Sequence, residues 1–409
     1  MTEKTVVRAI TESLEREQAG EGKSAAVYEL STAYDSLTIE RIEVFKCVFP
    51  LARPFMLGHA SVDRREYVVI RITDSSGASG VAFALSRGAP TDTVISELVG
   101  PRFLGRGSVD IEGTMQQVRR GLQPFAAEGV VGRALSLIDI ALWDLRGKHL
   151  DSPVWKLLGA TRSTAPIQIV EGYPIDGETD SQFIDRICAR VDEGYKHIKI
   201  AYGAAQPDAF TNRLEAMMKA VPDEVSVNVD VAWSWYDLDV ARHVLGRWNH
   251  LNLAWIEDPV AADDLETLAA IRSMSRLPIG VGDEVSRAAT LRTAAESGLV
   301  DVLRADLTCA GGFSALPSLV DSAHAISLST HVYPQIHRHA VLGATANGPV
   351  EMFPPVSPWD TCAEFVAPAE CELMDGVVSI TPPTRPGLGI DIDWQRVASA
   401  SVRSARITA

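Results

Sequence analysis

The chain has 409 residues, 46% of them apolar and 22% charged, with a formal net charge of −15. That length suits one large domain plus a smaller one, and the acidic balance excludes nucleic acid and anionic membrane surfaces as main partners, so a small anionic ligand needs a local positive centre. No apolar run reaches a membrane span, MTEKTVVRAITESLEREQ lacks the apolar core of an export signal, and the five cysteines (Cys47, Cys188, Cys309, Cys362, Cys371) are odd in number with no CxxC pair, which predicts a soluble, cytoplasmic protein with reduced thiols.

Residues 1–36 are polar and Glu-rich and read as an N-terminal extension, with a short amphipathic helix around Val6, Ile10 and Leu14. From Leu37 to Thr73 the pattern turns to β: SLTIERIEVFKCVFPLARPF and REYVVIRITD alternate or run apolar, and the turn DSSGASG follows, as in an antiparallel meander. Ala134, Leu137, Ile138, Ala141, Leu142 and Leu145 then recur at helical spacing before Gly147. Residues 37–160 therefore form an α+β unit.

After Pro166 short apolar strands recur with helical stretches between them: IQIVEGY, HIKIAY, VSVNVD, AWIEDP, PIGVGD, VDVLRAD, AISLSTH and VEMF. Eight such strands over 161–360 predict an α/β fold of the β/α-barrel type, whose sites lie at the C-terminal strand ends. The tail, 361–409, returns to apolar VVSITPP and LGIDID and is expected to pack back on the first unit.

Three strands end in carboxylates: Asp230, Glu257 and Asp283. The spacings, 257 − 230 = 27 and 283 − 257 = 26, are each one βα unit, so the side chains should project side by side into the barrel mouth. Such a cluster repels itself without a cation, and oxygen ligands on rigid strand ends suit a hard ion such as Mg²⁺. A single carboxylate would more often cap a helix, as Asp258, Asp263 or Glu284 can. Asn228 precedes Asp230 on the same strand face, so either can occupy the first ligand position, the carboxylate being the better donor. Glu284 is an alternative to Asp283, but adjacent strand residues point oppositely.

IDIALWDLRGKHLDSPVWKLLGA, WIEDP, ADLTCAGG and STHVYPQIHRHA followed by VEMF resemble the enolase superfamily, in particular its mandelate racemase subgroup, over about Leu37 to Ile392. The resemblance implies an α+β capping domain (37–160, completed by 361–409), a modified (β/α)7β barrel, a bound Mg²⁺ held by Asp230, Glu257 and Asp283, and removal of the proton α to a carboxylate. The last lysine is Lys219, so the sixth strand lacks the lysine base of the subgroups resembling enolase itself or muconate-lactonizing enzymes.

Asp306 ends that strand instead and His331 ends the seventh. An aspartate accepting the imidazole N–H fixes its tautomer and stabilises the imidazolium, as a general base requires, and the two match the His-Asp pair of the mandelate racemase subgroup. Glu351, ending the eighth strand, matches the acid that hydrogen-bonds the substrate carboxylate. On the second strand, where two lysines one residue apart are usual, Lys199 is followed by Ala201. A second base is thus missing, and Lys199 is left to contact the substrate carboxylate or the ligand shell. Lys196 reads as solvated, and His337 and His339 as packing residues.

LARPFMLGHAS, Leu51 to Ser61, corresponds to the loop that closes such sites, which makes Arg53 and His59 candidate substrate contacts. Tyr173 and Glu171, with Trp233 and Trp235, are candidate pocket residues. The expected activity is Mg²⁺-dependent dehydration of an acid sugar to a 2-keto-3-deoxy acid by a homo-oligomer. Racemisation or epimerisation of a 2-hydroxy acid is the alternative, weakened by Ala201, and a non-catalytic binding or scaffold protein is the alternative of another class.

Overall fold

In IERIEVFKCVF the residues Ile39, Ile42, Val44, Cys47 and Phe49 are buried and the charged residues between them are more exposed, a strand alternation stretched to three where the register shifts between Ile39 and Arg41 and between Lys46 and Cys47. The computed structural model describes residues 37–57, 60–125, 127–173, 175, 177–324, 326–344 and 348–409. Strands β1 (Ile39–Leu57), β2 (Ala60–Asp74) and β3 (Ser79–Leu85) form the expected antiparallel meander. The segment expected to be a loop after Leu51 is instead strand as far as Leu57. Pro50 and Pro54 cannot donate to the ladder, and the register shifts between Pro50 and Phe55 rather than ending there. The helices of this first domain include α1 (Ile111–Gly121), whose N-cap Asp110 accepts from the Gly113 N–H, and α2 (Gly129–His149). A Cβ on Gly80 of β3 would lie 1.9 Å from the Ala141 carbonyl of α2, so only glycine permits this close approach of helix and sheet.

The second domain is a ring of parallel strands: β4 (Ala165–Val170), β5 (His197–Ala201), β6 (Ser226–Asp230), β7 (Trp255–Glu257), β8 (Ile279–Val281), β9 (Val302–Ala305), β10 (Ser327–Thr330) and β11 (Val350–Met352). β11 closes on β4, with Glu351 opposite Gln168. Helices α3 (Asp180–Asp192), α4 (Pro207–Ala220), α5 (Leu238–Trp248), α6 (Leu265–Met274), α7 (Ala288–Glu296), α8 (Leu316–Ser322) and α9 (Pro334–Gly343) follow the first seven strands in turn. This is the (β/α)7β barrel, with all eight strands where their apolar runs place them. Local signals set the helix starts: a capping box between Thr179 and Gln182 opens α3, the Asp264 side chain caps α6, and Pro207 and Pro334 stand where no amide N–H is needed.

The alternation within the barrel strands decides where chemistry can sit. Ile167, Ile169, Ile198, Ile200, Val227, Val229 and Ile256 belong to one apolar cluster with the helix residues Phe183, Leu214, Trp248 and Leu268. Their neighbours one residue along, Gln168, Lys199, Asn228, Asp230 and Glu257, turn the other way and give the barrel a polar, buried interior.

The tail serves both domains. Strands β12 (Cys371–Met374) and β13 (Val377–Ile380) form a hairpin, and β13 pairs antiparallel with β4 of the barrel. Helix α10 (Trp394–Ala400) leads to β14 (Ser401–Thr408), which pairs with β1 from Arg41–Thr408 onward and becomes the fourth strand of the first sheet. Among the described residues no helix is long and apolar enough to cross a membrane.

Candidate active site at the barrel mouth

Strand register builds the site. Ala201 pairs with Asp230 and Asp230 with Glu257, while one side-chain step deeper Lys199 pairs with Asn228 and Asn228 with Trp255. Asp283 follows the end of β8 and reaches the same level because Gly282 turns the chain at φ 132°. A Cβ there would lie 2.2 Å from the Arg304 carbonyl. Asp258 holds the turn by accepting from the Gly282 and Asp283 N–H groups at 2.8 and 3.0 Å.

Asp230, Glu257 and Asp283 each place a carboxylate oxygen within 4.8 Å of the others. Three carboxylates offering only oxygen donors are the ligand chemistry that a hard ion such as Mg²⁺ takes. Asn228 is not a competing ligand in this arrangement: its amide donates to Glu257 Oε2 at 2.7 Å and accepts from Gln168. Glu284 turns away to Arg87 and Arg133, at 2.6 and 2.9 Å, which overcome its burial and hold its carboxyl down at about 2.

Lys199 lies among the acids, its Nζ 2.7 Å from Glu257, 3.1 Å from Glu351, 3.5 Å from Asp283 and 3.6 Å from Asp230. Burial opposes its charge, but Glu257, Glu351 and Asp283 more than reverse that and keep it an ammonium. Arg304, fully buried, ties the ring together from the sixth strand: Nε donates to Asp283 at 3.1 Å, Nη2 to Glu351 at 2.7 Å, and Nη1 to Ser329 Oγ and the Thr330 carbonyl. Arg304 is not among the site residues expected from the sequence. Its signal was present: Arg304 stands two residues before Asp306 and so shares its strand face. Even with these cations, burial pushes Glu257 up to about 8 and raises Asp230, with mutual repulsion adding to both. The cluster therefore has unsatisfied demand for positive charge.

His331 Nδ1 lies 3.2 Å from Asp306 Oδ2, and its Nε2 lies 3.6 Å from Asp283. Burial alone would lower this imidazole, but Asp283 and the hydrogen bond to Asp306 override it and lift it to about 9. Burial would raise Asp306, yet His331, His337 and the Thr308 hydroxyl hold it below the usual carboxylate range. A general base must be neutral at working pH, so a cation that neutralises Asp283 is what would free His331 to act as one.

A cavity of about 30 Å³ is lined by His331, Lys199, Asp230, Asp283, Glu351 and Tyr173. It adjoins a chamber of about 770 Å³ between the two domains, with Arg65, Arg87, Trp233 and Glu284 lining both. Tyr173 stacks on Phe353 and meets Phe55 at a tilt. Trp235, by contrast, is buried against Tyr202 and Trp248, and Glu171 is bound by Arg186 and Arg190 outside the barrel mouth. Arg53 is exposed and lines neither cavity: it falls within the register shift between Pro50 and Phe55, which breaks the strand alternation and leaves Phe55 buried. His59 lies outside the described residues. Lys196 pairs with exposed Glu224.

The described residues thus form a polar (β/α)7β barrel capped by an α+β domain, with three carboxylates that could hold a metal ion and a His-Asp pair at its mouth. Residues 40–159 match the family "Mandelate racemase / muconate lactonizing enzyme, N-terminal domain", and residues 182–396 match "Enolase C-terminal domain-like". The chain belongs to the enolase superfamily, in its mandelate racemase/muconate lactonizing enzyme group. It is 26% identical over 370 residues to L-talarate/galactarate dehydratase of Salmonella typhimurium, covering 87% of this chain and 89% of that one. It is 26% identical over 353 residues to 3,6-anhydro-alpha-L-galactonate cycloisomerase of Streptomyces coelicolor, covering 84% and 94%. L-Talarate dehydratase from Polaromonas sp. JS666, solved with Mg and L-glucarate, superposes with a TM-score of 0.79 at 25% identity, covering 91% of this chain and all of the other.

Proposed function

We propose that the protein is a Mg²⁺-dependent dehydratase of an acid sugar, yielding a 2-keto-3-deoxy acid. The observation that carries this reading is a single base: His331 is oriented by Asp306 beside the carboxylates, while position 201 is alanine and the Lys199 ammonium is committed to Glu257 and Glu351. Elimination needs proton removal from one face of the carbon; inversion needs groups on both. The relatives that dehydrate acid sugars support the choice.

A divalent ion held by Asp230, Glu257 and Asp283 would supply positive charge beside the substrate carboxylate as it takes on enediolate character. His331 Nε2 takes the C2 proton, and Asp306 stabilises the imidazolium. Lys199, which lines the small cavity, stabilises the charge that develops on the carboxylate oxygens, while Arg304 holds Asp283 and Glu351 in place behind it. The C3 hydroxyl then leaves as water with a proton available from the His331 imidazolium, and the resulting enol becomes the ketone.

A panel of acid sugars incubated with enzyme and Mg²⁺, assayed with semicarbazide for 2-keto product, tests the reading. Interconversion of C2 epimers with no keto product would replace it with racemisation.

A further inference from the structure

Resting on the acid-sugar reading above, we propose that the substrate is a dianion whose second carboxylate is received by Arg65. This residue stands on β2 of the capping domain, opposite Phe49 of β1, and is only 3% exposed. Its guanidinium lies between rings from the two domains, 4.9 Å from the centre of Phe55 and 5.6 Å from that of Phe353. Nε donates to the Trp359 carbonyl at 2.9 Å. Among the described residues the two terminal nitrogens have no hydrogen-bond partner, and no carboxylate lies within ion-pair distance.

The other cations around the chamber are already matched. Arg64 pairs with Asp63 and Glu66, Arg287 with Glu128, and Arg87 and Arg133 share Glu284. Arg65 makes no ion pair among the described residues, Asp360 near it lying beyond that distance, and it lines both the small cavity beside the metal carboxylates and the chamber of about 770 Å³ outside it. The small cavity, about 30 Å³, cannot hold a sugar chain. A substrate anchored at the carboxylates by one end must extend past Arg65 into the chamber.

At 3% exposure the guanidinium has little access to water, and a substrate filling that space closes off what remains. A buried cation stripped of water without a counter-charge is strongly disfavoured, and ring contacts recover only part of that cost. A neutral hydroxymethyl terminus leaves the charge unmatched; a carboxylate meets it with the two-pronged geometry that arginine provides and lysine does not. Arg65 therefore acts as a specificity-determining residue that selects aldaric over aldonic acids.

The test is calorimetric binding, with Mg²⁺ present, of a panel of hexaric diacids and the hexonic monoacids of matching configuration. The tightest diacid should bind wild type better than its monoacid partner. Arg65→Met should weaken the diacid on the order of 100-fold while changing the monoacid by less than about 3-fold. Arg65→Lys, which keeps the charge and guards against a misfolded methionine variant, should weaken the diacid about 10-fold and spare the monoacid. Monoacids binding as tightly as diacids in wild type, or both variants binding diacids as wild type does, would overturn the assignment. Diacid binding that depends on Arg65 without any keto product would uphold it and sink the dehydratase reading instead.

Discussion

The two ends of the stretch Leu328–Ala340 carry buried histidines with opposite charge behaviour. At the barrel mouth His331 faces Asp283 and Asp306 and is lifted to about 9. Two turns away on α9, His339 accepts the Trp155 N–H at Nδ1 and donates to the Leu388 carbonyl from Nε2, and burial with nearby Arg338 pushes it down to about 3. His337 behaves like His339: it accepts the Leu307 N–H, donates to the Val332 carbonyl and is lowered by burial. Burial acts on all three in the same direction, so the neighbouring charges decide which one can exchange protons with a ligand.

The largest effect expected at the charged end is on turnover. His331→Asn should lower kcat by ~10²–10⁴-fold, the usual contribution of a general base, while calorimetry still shows Mg²⁺ binding through the three carboxylates. Near-normal kcat would break the distinction between the two ends.

Next in size is Arg304→Met, which leaves Asp283 and Glu351 without their shared guanidinium. Because that charge network is fully buried, unfolding free energy in urea, measured without divalent ions, should fall by roughly 3–5 kcal/mol. A loss below about 1 kcal/mol would show that the ring of charges does not depend on it.

Lys199→Met sharpens the account of the charged end further. Losing a fixed cation beside the enediolate should raise the barrier by about 3 kcal/mol, near a hundredfold in kcat. The stereochemistry of C2 deuterium incorporation in D₂O should stay unchanged. Loss of exchange from only one C2 epimer would instead identify Lys199 as a second base.

The neutral end predicts the smallest effect. The folded protein keeps His339 neutral down to about 3, while the unfolded chain binds that proton at the reference value of 6.5. The unfolded state therefore carries more protons in this window, and His339 makes the protein lose stability as pH falls below about 6.5. His339→Asn preserves an acceptor for the Trp155 N–H and cannot titrate. Its melting temperature should drop less between pH 6.5 and 5 than that of wild type; parallel curves would place the acid sensitivity elsewhere.

Strand periodicity, apolar runs and the one-unit spacing of Asp230, Glu257 and Asp283 were readable in the sequence because each is a local pattern: side chains alternate along a strand, and a βα unit has a nearly fixed length. The same logic placed His331 beside Asp306 at adjacent strand ends, and it could have found Arg304 two residues before Asp306. What it could not reach depends on contacts across domains. Whether Arg53 or Arg65 faces the chamber turns on how the β1–β2 hairpin passes its prolines and which residues then meet Phe353 and Trp359 of the barrel domain. That the tail supplies a hairpin to β4 and an outer strand to β1 follows from sheet edges hundreds of residues away in sequence. The charge states followed the same division, since a histidine's residue type is local but its proton affinity is the sum of every charge and dipole the fold brings within a few ångströms.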